Sequence, residues 1–225
     1  MRLKVNARAR RISLRVDRLG REAIATAPSQ ALLAKAAAFA EARQAWLSQQ
    51  MAAAPAEPPP QPGASIAVFG GACRLDPDGR RPRLMSACDD TPRRIVGCGD
   101  EMVDLQLVSR AIKREALEVY RVRVAAHCQK LGAAVPLLTV TDTRSRWGSC
   151  SPARPGRAAS VRLSWRLALA PFEVADYVVA HECAHLLEAN HGPRFWGHVR
   201  SLVGDHRPHR GWLRIHGARL QGFGG

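Results

Sequence analysis

Seven of the eight histidines lie in the last 45 residues, and two of them frame the pentapeptide His181-Glu182-Cys183-Ala184-His185. On a helix, residues 181 and 185 are one turn apart, so both imidazoles leave the same face and can share a metal ion. Glu182 sits beside them, where a carboxylate can take a proton from a water on that metal. Chance is a poor alternative: 8 His and 9 Glu in 225 residues give roughly 0.01 accidental matches to the pattern. A zinc site outweighs two packed core histidines.

A catalytic zinc takes three protein ligands and keeps a fourth position for water. His191, six residues after His185, is the leading candidate for the third. To return to the metal the chain must leave the helix; Asn190 and Gly192 tolerate left-handed turns, and Pro193 suits the start of a further helix. Glu188, three residues beyond His185, would crowd the site, and nothing around Asp205 signals a ligand. The histidine spacing matches the metzincin pattern HExxHxxGxxH, but Glu188 replaces its glycine and all four methionines lie upstream, so no Met-turn can follow. Tyr177, Arg146, His198, His206 and His209 are candidate donors to a developing oxyanion, with packing the stronger expectation for Tyr177. His127 and His216 read as surface or helix-face residues, and Trp147, Trp165 and Trp196 as core around the site.

Several elements must position these groups. Leu3 to Val16 alternates apolar and basic residues, as a hairpin would, and Ala31 to Met51 is rich in helix formers with Ser29 as N-cap. Pro55 to Pro62 is a stiff, extended stretch. From Ile66 to Val108, short apolar runs between glycines and prolines read as a small β-meander. A helix follows from near Ser109 to about Leu131, then strands over Val135–Thr141 and Ser160–Trp165 separated by a turn-rich loop from Arg144 to Pro155. The helix carrying the histidines starts at Pro171 and runs through Leu187, and short helices follow Pro193 and surround Trp212.

The formal charge is +15, with thirty arginines and only four lysines. Clustered arginine would indicate a polyanion partner, but these residues are spread along the chain, so charge alone decides little. Six cysteines form no CxxC pair and read as reduced, mostly buried thiols. No run of eighteen apolar residues exists, and the N-terminus lacks the apolar core of a secretory signal. The expected location is the cytoplasm, away from any membrane.

Four segments carry a resemblance: Arg146-Trp147-Gly148-Ser149-Cys150-Ser151, Leu163-Ser164-Trp165-Arg166-Leu167, Asp176 through Glu182, and Asn190-His191-Gly192-Pro193-Arg194-Phe195-Trp196. The chain resembles the YgjP-like metallopeptidases, compact zincins related to the SprT-like and WLM groups. The resemblance implies an α+β, zincin-like fold for residues 109–225, preceded by an N-terminal hairpin and helix (1–54), a Pro-rich connector (55–65) and the small β-meander (66–108). It also implies Zn2+ held by His181, His185 and His191, Glu182 as the catalytic base, and a protein or peptide substrate whose backbone pairs with the strand Ser160–Trp165. Cys183 stands where many relatives carry an aliphatic residue and packs similarly. The alternative is a nucleic-acid-associated role, as a DNA-recruited SprT-like protease or a zinc-bearing binding module without turnover; the basic segment Arg8-Ala9-Arg10-Arg11 keeps it in view.

Overall fold

The computed structural model describes residues 1–16, 22–52, 60–79, 81–88, 91–99, 103–143 and 146–223. The chain divides into two units, Met1–Pro58 with Gln221–Phe223, and Pro59–Leu220.

In the first unit, β1 (Arg2–Val5) and β2 (Ser13–Val16) do not pair with each other. Strand β3 (Ala23–Ala27) lies between them, parallel to β1 and antiparallel to β2. The expected hairpin is therefore a three-stranded sheet. The reason is burial: Ala-Ile-Ala-Thr-Ala is buried almost throughout and takes the centre, while basic, exposed β1 takes an edge. The helix expected over Ala31–Met51 comes in segments, a 3₁₀ turn at Gln30–Leu32, α1 (Leu33–Glu41) and α2 (Gln44–Ala52). Ser29 precedes the turn without a side-chain cap bond. The core here is small, built on Ala23, Ala25, Ala27, Ala36, Ala40 and Leu47. The expected connector lies outside the described residues as far as residue 59.

Among its described residues the second unit holds two sheets and four α-helices. Strands β4 (Ser65–Val68), β5 (Gly71–Asp76), β6 (Arg83–Met85) and β7 (Arg94–Val96) are ordered β4-β5-β7-β6, with β5 and β7 parallel. A meander would keep sequence order; instead fully buried Leu75 and Ile95 bring β5 and β7 together at the centre. Helix α3 (Leu105–Leu131) starts four residues before Ser109 because Asp104 accepts hydrogen bonds from the Gln106 and Leu107 N–H groups. It ends where Gly132 turns left-handed at φ 64°. His127, read as a surface or helix-face residue, lies on the buried face of this helix and is fully buried. Its Nε2 lies 2.8 Å from Asp176, which also receives Arg123 at 2.7 and 2.8 Å.

The second sheet is ordered β8-β10-β9, from β8 (Leu137–Thr141), β9 (Gly148–Ser151) and β10 (Ser160–Ser164). Strand β9 occupies part of the expected loop. Trp165 does not continue β10 but opens a buried 3₁₀ turn, Trp165–Leu169. Helix α4 (Phe172–Ala184) is preceded by Pro171 and ends earlier than expected, leaving His185 as its C-cap. Helices α5 (Pro193–Val203) and α6 (Arg207–Gly222) complete the chain. Among the described residues no helix is long and apolar enough to cross a membrane, and Cys73, Cys98, Cys128 and Cys183 are buried thiols.

Candidate metal centre

The last turn of α4 and the loop after it bring together the three histidines singled out by spacing. One ligand atom from each of His181, His185 and His191 lies within 4.8 Å of the others. The chain turns back after α4 through tight backbone bonds, from Leu186 N–H to the Cys183 carbonyl and from Glu188 N–H to that of Ala184. Neither Asn190 nor Gly192 takes a positive φ, so the reversal does not use the left-handed residues expected there; Gly192 is extended and caps α5, with Pro193 at its first position.

The ring nitrogens are set for coordination. His185 Nδ1 lies 2.9 Å from the Glu188 carbonyl oxygen, which only accepts, so Nδ1 carries the hydrogen and Nε2 keeps its lone pair. The Nε2 atoms of His181 and His191 approach to 3.2 Å. Two nitrogens about 2.05 Å from one tetrahedral zinc stand about 3.3 Å apart, so this pair fits that ion, with the third ligand atom within 4.8 Å. Burial, then the neighbouring His185 and His191, pushes His181 down to about 4, which keeps it neutral and able to ligate. Below the triad, the fully buried Phe195 ring lies 4.9, 4.5 and 4.7 Å from the rings of His181, His185 and His191. It is a floor that the histidine spacing does not reveal.

Glu182 is 6% exposed, and burial pushes its carboxyl up to about 7 while the Arg146 charge pulls it down. Its side chain lies against Gly148 at the start of β9: a Cβ there would stand 2.6 Å from Glu182 Oε1. Only glycine leaves this room, which makes Gly148 a positioning residue absent from the spacing argument, although it sits in the Trp-Gly-Ser-Cys segment. Cys183 is fully buried, as a small packing residue would be, and burial pushes its thiol up.

The other candidates divide. Tyr177 and Arg146 line a cleft of about 820 Å³ that also exposes His181 and Glu182. The Tyr177 ring lies near-parallel to those of His206 and His209, at 6.0 and 6.1 Å, and His206 stacks in turn on Trp196 at 4.4 Å. Asp205 is taken up by Arg207, and Glu188 by Arg194. Trp165 is buried, whereas Trp147 and Trp196 are half-buried beside the site. Strand β10 is paired on both sides and has no edge for a substrate; β9 is the edge strand beside α4.

An α+β unit with an imidazole triad on and after one helix has the frame of a metal-dependent hydrolase. Residues 10–216 match the YgjP-like metallopeptidase domain, and the chain belongs to that family. No curated protein and no solved structure matches the chain.

Proposed function

We propose that this metallopeptidase is zinc-dependent, with His181, His185 and His191 as ligands and Glu182 as the general base. The convergence of three imidazoles, two with nitrogens 3.2 Å apart, is the observation that carries the reading. Zinc bound there supplies Lewis acidity that activates water and polarises a peptide carbonyl. Glu182, buried in the cleft wall, accepts a proton on its carboxylate and passes it to the departing amine. Gly148 lets that carboxylate lie flat against β9, and Phe195 and the Glu188 carbonyl fix the ring directions. An extended substrate pairs with the open edge of β9, in place of β10.

In the same proposal the domain plan is 1–54, 55–65, 66–108 and 109–225, and the protein works in the cytoplasm, where its buried thiols Cys73, Cys98, Cys128 and Cys183 stay reduced. The test is metal analysis paired with cleavage of a proteome-derived peptide mixture. The wild type is expected to carry one zinc and cleave; Glu182→Gln should keep the zinc and lose activity by about a thousand-fold or more. A Glu182→Gln protein as active as the wild type would remove this residue from the chemistry.

A further inference from the structure

The walls of the cleft differ in charge. Helix α4 supplies Tyr177, Val178, His181 and Glu182, whereas α6 supplies Arg207, Arg210 and Arg214, and the turn before β9 supplies Arg146. Positions 207, 210 and 214 follow helical spacing, so the three side chains share the face of α6 turned to the cleft. Arg207 is neutralised by Asp205, whose carboxylate it meets at 2.8 Å through both Nε and Nη2. Among the described residues no carboxylate pairs with Arg146, Arg210 or Arg214. The one acidic side chain lining the cleft is Glu182.

Three guanidinium forks therefore face one concave space with no carboxylate at ion-pair distance among the described residues, Arg146 acting on Glu182 only from further off. Each can bind a carboxylate through two parallel hydrogen bonds, and together they disfavour a cationic occupant. Between them lie apolar surfaces, Trp147, Val178 and Leu213, suited to the methylene stem of an acidic side chain. Trp147 is held in place by α6, since a Cβ at Gly217 would stand 3.0 Å from its ring. The space is also continuous with His181 and Glu182, so its occupant lies next to the reacting bond.

We propose that this cleft selects peptide substrates with Asp or Glu beside the scissile bond, and that Arg146, Arg210 and Arg214 are the specificity-determining residues. The proposal rests on the peptidase reading above. A peptide is favoured over a nucleic acid because the charges line a pocket ending on the reacting groups. A phosphate backbone would need an open stripe running past them.

The full-length, zinc-loaded chain and its Arg146→Gln/Arg210→Gln/Arg214→Gln variant are given one proteome-derived peptide mixture, then two synthetic peptides differing only in Glu or Gln beside the cut. The wild type is expected to enrich acidic residues at its cleavage sites and to prefer the Glu peptide by about ten-fold or more in kcat/KM. The variant should lose that preference, its kcat/KM ratio for the Glu peptide over the Gln peptide falling to about one. Equal preference in the two proteins, or no acidic preference in the wild type, would overturn the proposal. Fluorescence anisotropy of labelled deca-glutamate on Glu182→Gln protein separates binding from turnover. Arginine-dependent, salt-sensitive binding without any cleavage by the wild type leaves the cleft's selectivity standing and sinks the peptidase reading instead. Tighter arginine-dependent binding of oligo(dT) than of deca-glutamate would reassign the cleft to nucleic acid.

Discussion

The two units bury different kinds of residue. In Met1–Pro58 the fully covered core is alanines from β3 and α1 with Leu47, and Ile12, Leu14, Val16, Leu32 and Leu33 pack against it only half-buried. In Pro59–Leu220 the fully buried side chains include Trp165, Arg166, Tyr120, Phe195 and Leu75, and a carboxylate, Asp176, serves His127 and Arg123 together. Alanine contacts remove little apolar area from water, so the first unit is held weakly; large rings and buried ion pairs hold the second. Fixed side chains are what a metal site needs, and they are found where the histidines are.

The largest expected effect comes from His191→Ala, which should lose the metal and all measurable cleavage; full metal retention would reassign the third ligand. Asp176→Asn should follow, lowering the stability of the second unit by about 3 kcal/mol in a denaturant titration, because the charge is lost and an NH2 donor replaces one of the two oxygens that accept from Arg123 and His127. An unchanged midpoint would show that the pair is only solvated surface. The same group sets an acid limb. Burial alone would raise Asp176, but the hydrogen bonds from His127 and Arg123 outweigh it and hold the carboxyl below its ordinary value. A folded value below the unfolded one contributes stability at higher pH, and that stability is lost as pH falls through the folded value. Wild-type stability should therefore drop below about pH 4, and Asp176→Asn should flatten that drop.

Gly148→Ala sharpens the distinction between holding the fold and holding the site. The added methyl must displace the Glu182 side chain, a movable group, so kcat should fall by about a hundred-fold with little change in Tm. Retained kcat would mean that the carboxylate's position against β9 is irrelevant. The smallest effect is Ala36→Gly on α1, which should cost about 1 kcal/mol and shift the lower of two thermal transitions. A single transition in calorimetry would contradict the weak-core account of the first unit.

How much of this could be read from the chain depends on the range of the physics. The helical spacing of His181 and His185, the Pro193 helix start and the long amphipathic α3 are local, and all three were legible. Strand β3 was not, because Ala-Ile-Ala-Thr-Ala is buried on both faces and shows no alternation. Strand β9, Gly-Ser-Cys-Ser, carries turn-like residues and becomes a strand only through its pairing with β10. The parallel pairing of β5 with β7 and the partnership of His127 with Asp176, 49 residues away, are long-range choices that no window of sequence contains. The arginines of α6 were visible as residues but not as one wall, since Arg146 joins them only in the folded chain.

X-ray absorption of the zinc-loaded wild type reads the central arrangement directly. The account predicts three imidazole nitrogens and one oxygen at about 2.0–2.1 Å, with one nitrogen lost in any His191→Ala protein that retains residual zinc. A sulfur ligand, or a spectrum indifferent to the substitution at 191, would contradict it.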